Sequence, residues 1–212
     1  MASRFALYFP DFVTHLILFV VPLFPPSSTY CSVSDLVKLQ PSFGYMLQFG
    51  SDDYEIESHT QSEDGIRGFL NALYGGLTTD GRRAISATNG IDFDIVSHLV
   101  PSKLLTEEDL QYYTDTIRTG NTYRVLHQNF IDETPFLSNG GDKKVEVNCP
   151  TLFVRAMDDF AITSSMVDTM LPYIPHLTIK EVRSSHWIMI QRPQKVNEIV
   201  QTWLQEQGIN QN

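Results

Sequence analysis

The sequence has few basic residues and few cysteines, and both shortages exclude classes of partner. Its 212 residues include 15 Lys and Arg against 25 Asp and Glu, a formal net charge of −10. Nucleic acids and anionic membrane surfaces attract basic proteins, so the composition argues against both as partners. The two cysteines, Cys31 and Cys149, lie far apart and fit neither a disulfide framework nor a zinc site. We therefore expect reduced thiols, a cytoplasmic location and no bound metal.

The sequence also lacks an apolar stretch long enough for a membrane helix. The stretch at residues 15–24 is too short to cross a bilayer and is interrupted by Pro22. We therefore expect no membrane span. Secretion is the less favoured alternative, because Asp11 interrupts the approach to this stretch. With 42% hydrophobic residues, the chain can still bury one ordinary core.

Apolar runs and helical periodicities alternate near both ends of the chain. Residues 16–21 read Leu-Ile-Leu-Phe-Val-Val, which is typical of a strand buried on both faces of a parallel sheet. Residues 3–8 precede this strand as the end of a helix. A strand, a helix, a second strand and a final helix are predicted later in the chain, at 151–154, 164–171, 177–182 and 194–206. This alternation predicts an α/β fold.

The middle of the chain has a different character, because it is polar, rich in aromatic residues and mostly helical in period. Capped helices are predicted at 62–73 and 107–118. Residues 78–89 are predicted to be a loop. The predicted organisation is a core segment with a helix end and a strand, a helical cap, and a second α/β core segment: 1–24, 25–148 and 149–212.

Titratable side chains follow two of the predicted strands. Asp158 and Asp159 come after the strand that starts at Thr151, and His186 comes after the strand that ends near Val182. The carboxyl ends of parallel strands meet at one edge of a sheet, so an Asp and a His there can form a hydrogen bond. An acid in this position orients a general base. Alone, each residue is more often a turn or structural residue, but together they predict a catalytic pair.

Several segments carry a resemblance to a known family, and they occur in the family's order: 150–160, 170–177, 185–187 and 193–197. They resemble the C-terminal part of the soluble epoxide hydrolases. Residues 41–49 and 121–130 are similar to the two cap segments that contain the family's tyrosines. The resemblance implies a partial α/β-hydrolase fold, in which the last three strands of a parallel sheet carry a mostly helical cap insertion.

The resemblance also implies a reaction, the hydrolysis of an epoxide to a vicinal diol through an ester. An aspartate nucleophile opens the ring, and a histidine-activated water then hydrolyses the ester. Carried over by motif, His186 is the base, Asp159 orients it, and Tyr45 and Tyr123 hold and protonate the ring oxygen. Asp158 is the rival for the orienting role. The implied partner is a small hydrophobic epoxide, and no cofactor is implied.

Two features depart from the family pattern. The family carries a His-Gly-x-Pro oxyanion loop and an aspartate nucleophile in a His-Asp-x-Gly elbow, and this sequence contains neither motif, as if the gene model started late. It also contains no Gly-x-Ser-x-Gly, so a serine has not replaced that aspartate. The family also has several more residues beside its second tyrosine, where this chain passes from Gly120 straight to 121–123. We therefore expect little turnover from the chain alone. We also expect marginal stability or a homo-oligomer, because an apolar strand needs neighbours on both edges.

Two alternatives stay open at this point. The first is another capped α/β-hydrolase, such as an esterase or a dehalogenase. A dehalogenase commonly binds halide with tryptophan, and of the two tryptophans, Trp187 and Trp203, the second falls on the apolar stripe of the final helix. The second alternative is a non-catalytic relative that binds a small hydrophobic molecule, which the missing nucleophile favours. Whether the chain is an enzyme is left open.

Overall fold

A computed structural model describes residues 1–27, 29, 31–50, 55–120 and 146–209. The chain divides into two compact units, one formed by residues 1–30 and 131–212 and the other by residues 31–130. The described part of the first unit contains a parallel sheet, and that of the second is mostly helical. The domain boundaries expected at 24/25 and 148/149 stay predictions.

The elements are numbered along the chain. The helices are α1 (Ala2–Tyr8), α2 (Val33–Leu39), α3 (Tyr45–Phe49), α4 (Glu55–His59), α5 (Glu63–Leu73), α6 (Phe93–Val96), α7 (Glu107–Gly120), α8 (Ser164–Asp168), α9 (Ile188–Gln191) and α10 (Pro193–Glu206). The strands are β1 (Leu16–Phe19), β2 (Leu77–Thr78), β3 (Ile85–Ser86), β4 (Gly90–Ile91), β5 (Leu99–Val100), β6 (Thr151–Ala156) and β7 (Leu177–Val182).

The sheet of the first unit has the order β1-β6-β7, and both pairings are parallel. The central strand β6 contains Leu152, Phe153 and Val154, each 0% exposed. Such a continuous apolar run is typical of a strand that is covered on both faces. The predicted α/β class with a parallel sheet is therefore confirmed.

Strand β1 ends two residues earlier than its apolar run predicts. Val20 has a φ of 64°, which is rare for a β-branched residue. The next residue, Val21, donates its N–H back to the carbonyl oxygen of Phe19 at 2.6 Å. The chain therefore turns at Val20, directly after the strand.

Main-chain hydrogen bonds show which residues of β1 face β6. Leu16 donates its N–H to Pro150 O and Val20 to Val154 O, both at 3.0 Å. Because alternate residues of a strand point their main-chain groups to opposite sides, the N–H of Ile17 faces the other edge. Within the ranges that the structure describes, no strand pairs with that edge.

Two helices of the first unit show how the sequence sets helix boundaries. Helix α10 starts with Pro193 and contacts β6 and β7, burying Val196 and Trp203 as the predicted stripe requires. The helix predicted at 164–171 is shorter than expected, because α8 ends at Asp168 and a separate 3₁₀ turn, Leu171–Tyr173, follows. That turn contains Pro172, which has no N–H to continue an α-helix.

The second unit packs α5 against α7, and both helices confirm the predictions for this region. The Ser62 hydroxyl caps α5 by accepting the N–H of Gly65 at 3.1 Å. Ile66, Phe69 and Leu70 on α5 are buried, and partly buried side chains of α7 pack against the same cluster. No helix in the described ranges is long and apolar enough to span a membrane.

The prediction of a loop at residues 78–89 is wrong in part. Strands β3 and β4 form an antiparallel hairpin in which Ser86 pairs with Gly90. Gly90 has a φ of 79°, a conformation that favours glycine and that tight hairpins use. Asn89-Gly90 is a hairpin sequence, so the missed element did have a marker in the sequence.

Candidate active site

The first unit brings the loops after β6 and β7 together at the carboxyl end of the sheet. Beyond the strands themselves, Met157 donates its N–H to Val182 O, and Asp158 donates its N–H to Ser184 O, each at 3.0 Å. These bonds continue the β6–β7 ladder into the two loops. The residues that follow, Asp159 and His186, are therefore placed by main-chain pairing.

The Asp159 carboxylate is almost completely buried, with its side chain 1% exposed. Its Oδ1 accepts the N–H groups of Ala161 at 2.8 Å and Ile162 at 3.2 Å. Its Oδ2 lies 2.8 Å from Nδ1 of His186. Burial opposes ionisation, but the hydrogen bonds from His186 and the two main-chain N–H groups outweigh it and hold the pKa of Asp159 below its ordinary value.

The His186 ring is oriented by this carboxylate. Because Asp159 is ionised at neutral pH, it acts as the acceptor, and Nδ1 of His186 carries the shared hydrogen. Proton exchange with a water or a substrate then falls to Nε2. The side chain of His186 is 39% exposed, and Trp187 packs edge-on against the ring with a centroid separation of 5.5 Å. A buried acid and a partly exposed imidazole can act together as a general base.

The two candidates for the orienting carboxylate, Asp158 and Asp159, have different surroundings in the structure. Residue Asp158 is exposed and meets the second loop through its main-chain N–H, whereas Asp159 turns its carboxylate to His186. The motif of the resemblance, which assigned the orienting role to Asp159, therefore agrees with the geometry. The catalytic roles of Asp159 and His186 stay predictions.

The structure describes one of the two cap tyrosines. Tyr45 is the first residue of α3 in the second compact unit, and it is partly buried between the rings of Phe43 and Phe49 at 6.5 and 5.9 Å. Tyr123 lies outside the described residues. Both assignments rest on the resemblance and stay predictions.

One polar contact lies close to the pair and was not predicted from the sequence. Oε1 of Gln191 accepts hydrogen bonds from Ser184 Oγ at 2.5 Å and from Ser185 N at 2.8 Å. Gln191 is the only polar residue in helix α9, whose sequence is Ile-Met-Ile-Gln. That contrast was the available sequence marker.

Comparison with known proteins gives sequence relatives but no matching family model. The chain is 30% identical over 213 residues to the epoxide hydrolase srdG of Neurospora crassa, an alignment that covers 96% of this chain and 62% of that protein. It is 26% identical over 215 residues to bifunctional epoxide hydrolase 2 of Sus scrofa, covering 97% of this chain and 37% of that one. The chain thus spans less than two thirds of either relative.

Solved structures share the fold. Epoxide hydrolase I of potato (Solanum tuberosum) superposes with a TM-score of 0.65 at 18% identity, covering 96% of this chain and 65% of that one. An epoxide hydrolase from an endophytic Streptomyces superposes with a TM-score of 0.67 at 22% identity, covering 96% and 64%. The parallel sheet described above is therefore part of an α/β-hydrolase fold. In sequence this chain is similar to the epoxide hydrolases, and its fold is that of the α/β-hydrolases.

Proposed function

We propose that this chain acts in the hydrolysis of a small hydrophobic epoxide to a vicinal diol, with His186 as the base and Asp159 as the carboxylate that orients it. The observation that carries the proposal is the 2.8 Å hydrogen bond between the two side chains, at the carboxyl ends of neighbouring parallel strands. The names of the Neurospora and Sus relatives, both epoxide hydrolases, support the choice of reaction.

The pair is suited to the second step of that reaction, in which an ester between substrate and enzyme is hydrolysed. Nε2 of His186 accepts a proton as a water oxygen attacks the ester carbonyl carbon. The bond from that carbon to the substrate oxygen then breaks, and the proton passes to the departing oxygen to complete the diol. Asp159 stays ionised and stabilises the imidazolium between these events.

The first step needs a carboxylate nucleophile and donors to the ring oxygen. Tyr45 and Tyr123 are the proposed donors, by resemblance. These 212 residues contain no elbow motif of the family's kind, so the proposal assigns to them only the base half of the site. A cytoplasmic location and self-association belong to the same proposal, and rest on the separated cysteines and on the open edge of β1.

Diol formation from styrene oxide tests this function. The purified chain is assayed alone and after co-expression with the part of the Neurospora epoxide hydrolase that it does not match, beside a reaction without protein. We expect the co-expressed pair to form diol, and the rate to fall to background with His186→Ala. Asp159→Asn should lower the rate strongly, and the exposed neighbour variant Asp158→Asn should keep it.

Other outcomes would decide against parts of the proposal. Diol formation that survives His186→Ala would remove His186 from the mechanism. Turnover by the chain alone that His186→Ala abolishes would place a nucleophile within this sequence and contradict the assignment of only the base half. Background rates from every combination would favour the non-catalytic relative that binds a small hydrophobic molecule.

A further inference from the structure

Helix α9 begins two residues after His186, and its last side chain contacts the loop that carries His186. Gln191 is the last residue of this helix, and its Oε1 accepts two hydrogen bonds, from the Ser184 hydroxyl at 2.5 Å and from the Ser185 N–H at 2.8 Å. Ser184 is 5% exposed. A single amide oxygen thus satisfies two donors in the residues immediately before His186.

Ser184 is also where the His186 loop meets the Asp159 loop. Its carbonyl oxygen accepts the N–H of Asp158 at 3.0 Å. Gln191 is therefore connected to both members of the pair: it accepts from Ser185, the residue before His186, and it is linked through Ser184 to Asp158, the residue before Asp159.

The main chain of Gln191 is itself held in place. Ile188 on the same helix is 0% exposed, so α9 is anchored in the core of the first unit. The N–H of Gln191 donates to Trp187 O, and that of Arg192 donates to Ile188 O, both at 2.9 Å. An anchored turn leaves the side-chain amide little freedom to follow a loop that moves.

We propose that Gln191 is a positioning residue for the Asp159–His186 pair, acting through Ser184 and Ser185. Its consequence for catalysis rests on the proposed function, but its effect on the geometry of the pair does not. Without the acceptor, the Ser185 N–H and the buried Ser184 hydroxyl lose their partner, and a buried donor left unsatisfied is costly. The loop then rearranges toward water and carries the His186 ring away from Asp159.

The hydrogen-bonded tautomer of His186 provides a test that does not depend on turnover. The nitrogen chemical shifts of the imidazole, read by NMR through the ring C–H protons at alkaline pH, report which nitrogen carries the hydrogen. The native chain should show the Nδ1–H form that donates to Asp159, whereas a released neutral imidazole favours the Nε2–H form. His186→Gln identifies the resonances of His186.

Matched variants distinguish the effect of losing the acceptor oxygen from the effect of changing the shape of the side chain. Gln191→Glu keeps an oxygen acceptor at the same reach and should keep the Nδ1–H form. Gln191→Met keeps the length without that oxygen and should shift His186 toward the Nε2–H form. Gln201→Met makes the same exchange at an exposed position of α10 and should change nothing.

An unchanged tautomer in folded Gln191→Met would overturn the proposal. If that variant does not fold, Gln191→Asn replaces it, because its amide is one methylene too short to reach both donors; an unchanged tautomer there would equally overturn the proposal. In the co-expressed assay, Gln191→Met should lower kcat by roughly 10- to 100-fold with little change in KM. A changed tautomer beside an unchanged rate of diol formation would retain Gln191 as a positioning residue and refute the proposed function instead.

Discussion

The two ladders of the three-stranded sheet differ in where they end. The β6–β7 ladder runs from Thr151 and Leu177 to Ala156 and Val182, and main-chain bonds then carry it into the loops of the acid–base pair. The β1–β6 ladder is shorter and stops where Val20 turns the chain. One ladder therefore leads into the loops that carry Asp159 and His186, and the other ends at a turn.

The outer strands of these ladders also differ in composition. Strand β7 carries the exposed charges Lys180 and Glu181, as edge strands that resist further pairing commonly do. Strand β1, Leu16–Phe19, carries no charge and buries Leu16 and Leu18. Strand β7 therefore has the amino-acid composition of an edge strand, whereas β1 has that of an interior strand.

The largest expected effect is a difference in the loss of unfolding free energy between substitutions in β6, the strand that both ladders share, and in β7, its outer neighbour. Phe153→Ala in β6 removes a ring that is 0% exposed and should lower the free energy of unfolding by about 3–5 kcal/mol. Ile179→Ala in β7 removes a side chain that is 37% exposed and should cost about 1 kcal/mol or less. Urea unfolding followed by circular dichroism measures both. Equal losses would mean that β7 is as much a core strand as β6.

The next prediction concerns the open edge of β1. Ile17→Pro removes an N–H that faces away from β6, and Ile179→Pro removes the matching outward N–H of β7. If copies of the chain pair through β1, the first variant should weaken a symmetric dimer by about 2 kcal/mol, or roughly 30-fold in Kd, and the second should not.

Sedimentation equilibrium over a range of concentrations decides this point. A native chain that stays monomeric throughout, or two proline variants with the same effect, would show that the apolar composition of β1 does not lead to self-association.

The acid–base end of the β6–β7 ladder should make stability depend on pH. The folded-state pKa of Asp159 lies below the ordinary value of 3.8, so its ionisation stabilises the fold in full above that value. This contribution is lost as the pH falls through the lowered folded pKa. The stability of the native chain relative to Asp159→Asn should therefore decrease over that acidic window in urea unfolding at successive pH values.

Asp158→Asn is the control for this series and should follow the native pH dependence. The loss of unfolding free energy caused by Ile17→Pro should stay constant over the same range of pH, because β1 contains no titratable side chain. A native chain and an Asp159→Asn variant with parallel pH profiles would contradict the inferred ionisation.

The smallest expected effect is a side-chain pair across the β6–β7 ladder. Arg155 and Glu181 are register partners, with Nη1 and Oε1 2.9 Å apart and both side chains partly accessible. Glu181→Gln should therefore cost about 0.2–1 kcal/mol in urea unfolding, and less at high salt because the pair is screened. A cost that does not change with salt would point to packing rather than charge.

The sequence was sufficient to predict those elements of the fold that have a regular pattern of apolar residues. The apolar run of β6 and the stripe of α10 predicted their elements, and the positions of Asp159 and His186 after two such strands predicted that they would meet. The turn at Val20 was not predictable, because two consecutive valines favour a strand.

Short elements and contacts that depend on a turn were not predictable by the same means. Strands β3 and β4 are two residues each, too short for any periodicity, and Asn89-Gly90 was their one marker. The contact of Gln191 with Ser184 depends on the length and direction of α9, which the spacing of residues does not specify.

The placement of the acid–base pair also has a consequence for the order in which the molecule assembles. Asp159 and His186 are 27 positions apart and are joined by a single strand-to-strand pairing, whereas β1 reaches β6 only across the long span from residue 19 to residue 151. Closing a short segment costs less chain entropy than closing a long one, and contacts between nearby positions form sooner. The pair should therefore exist in folding intermediates that have not yet recruited β1, and survive in molecules that have released it.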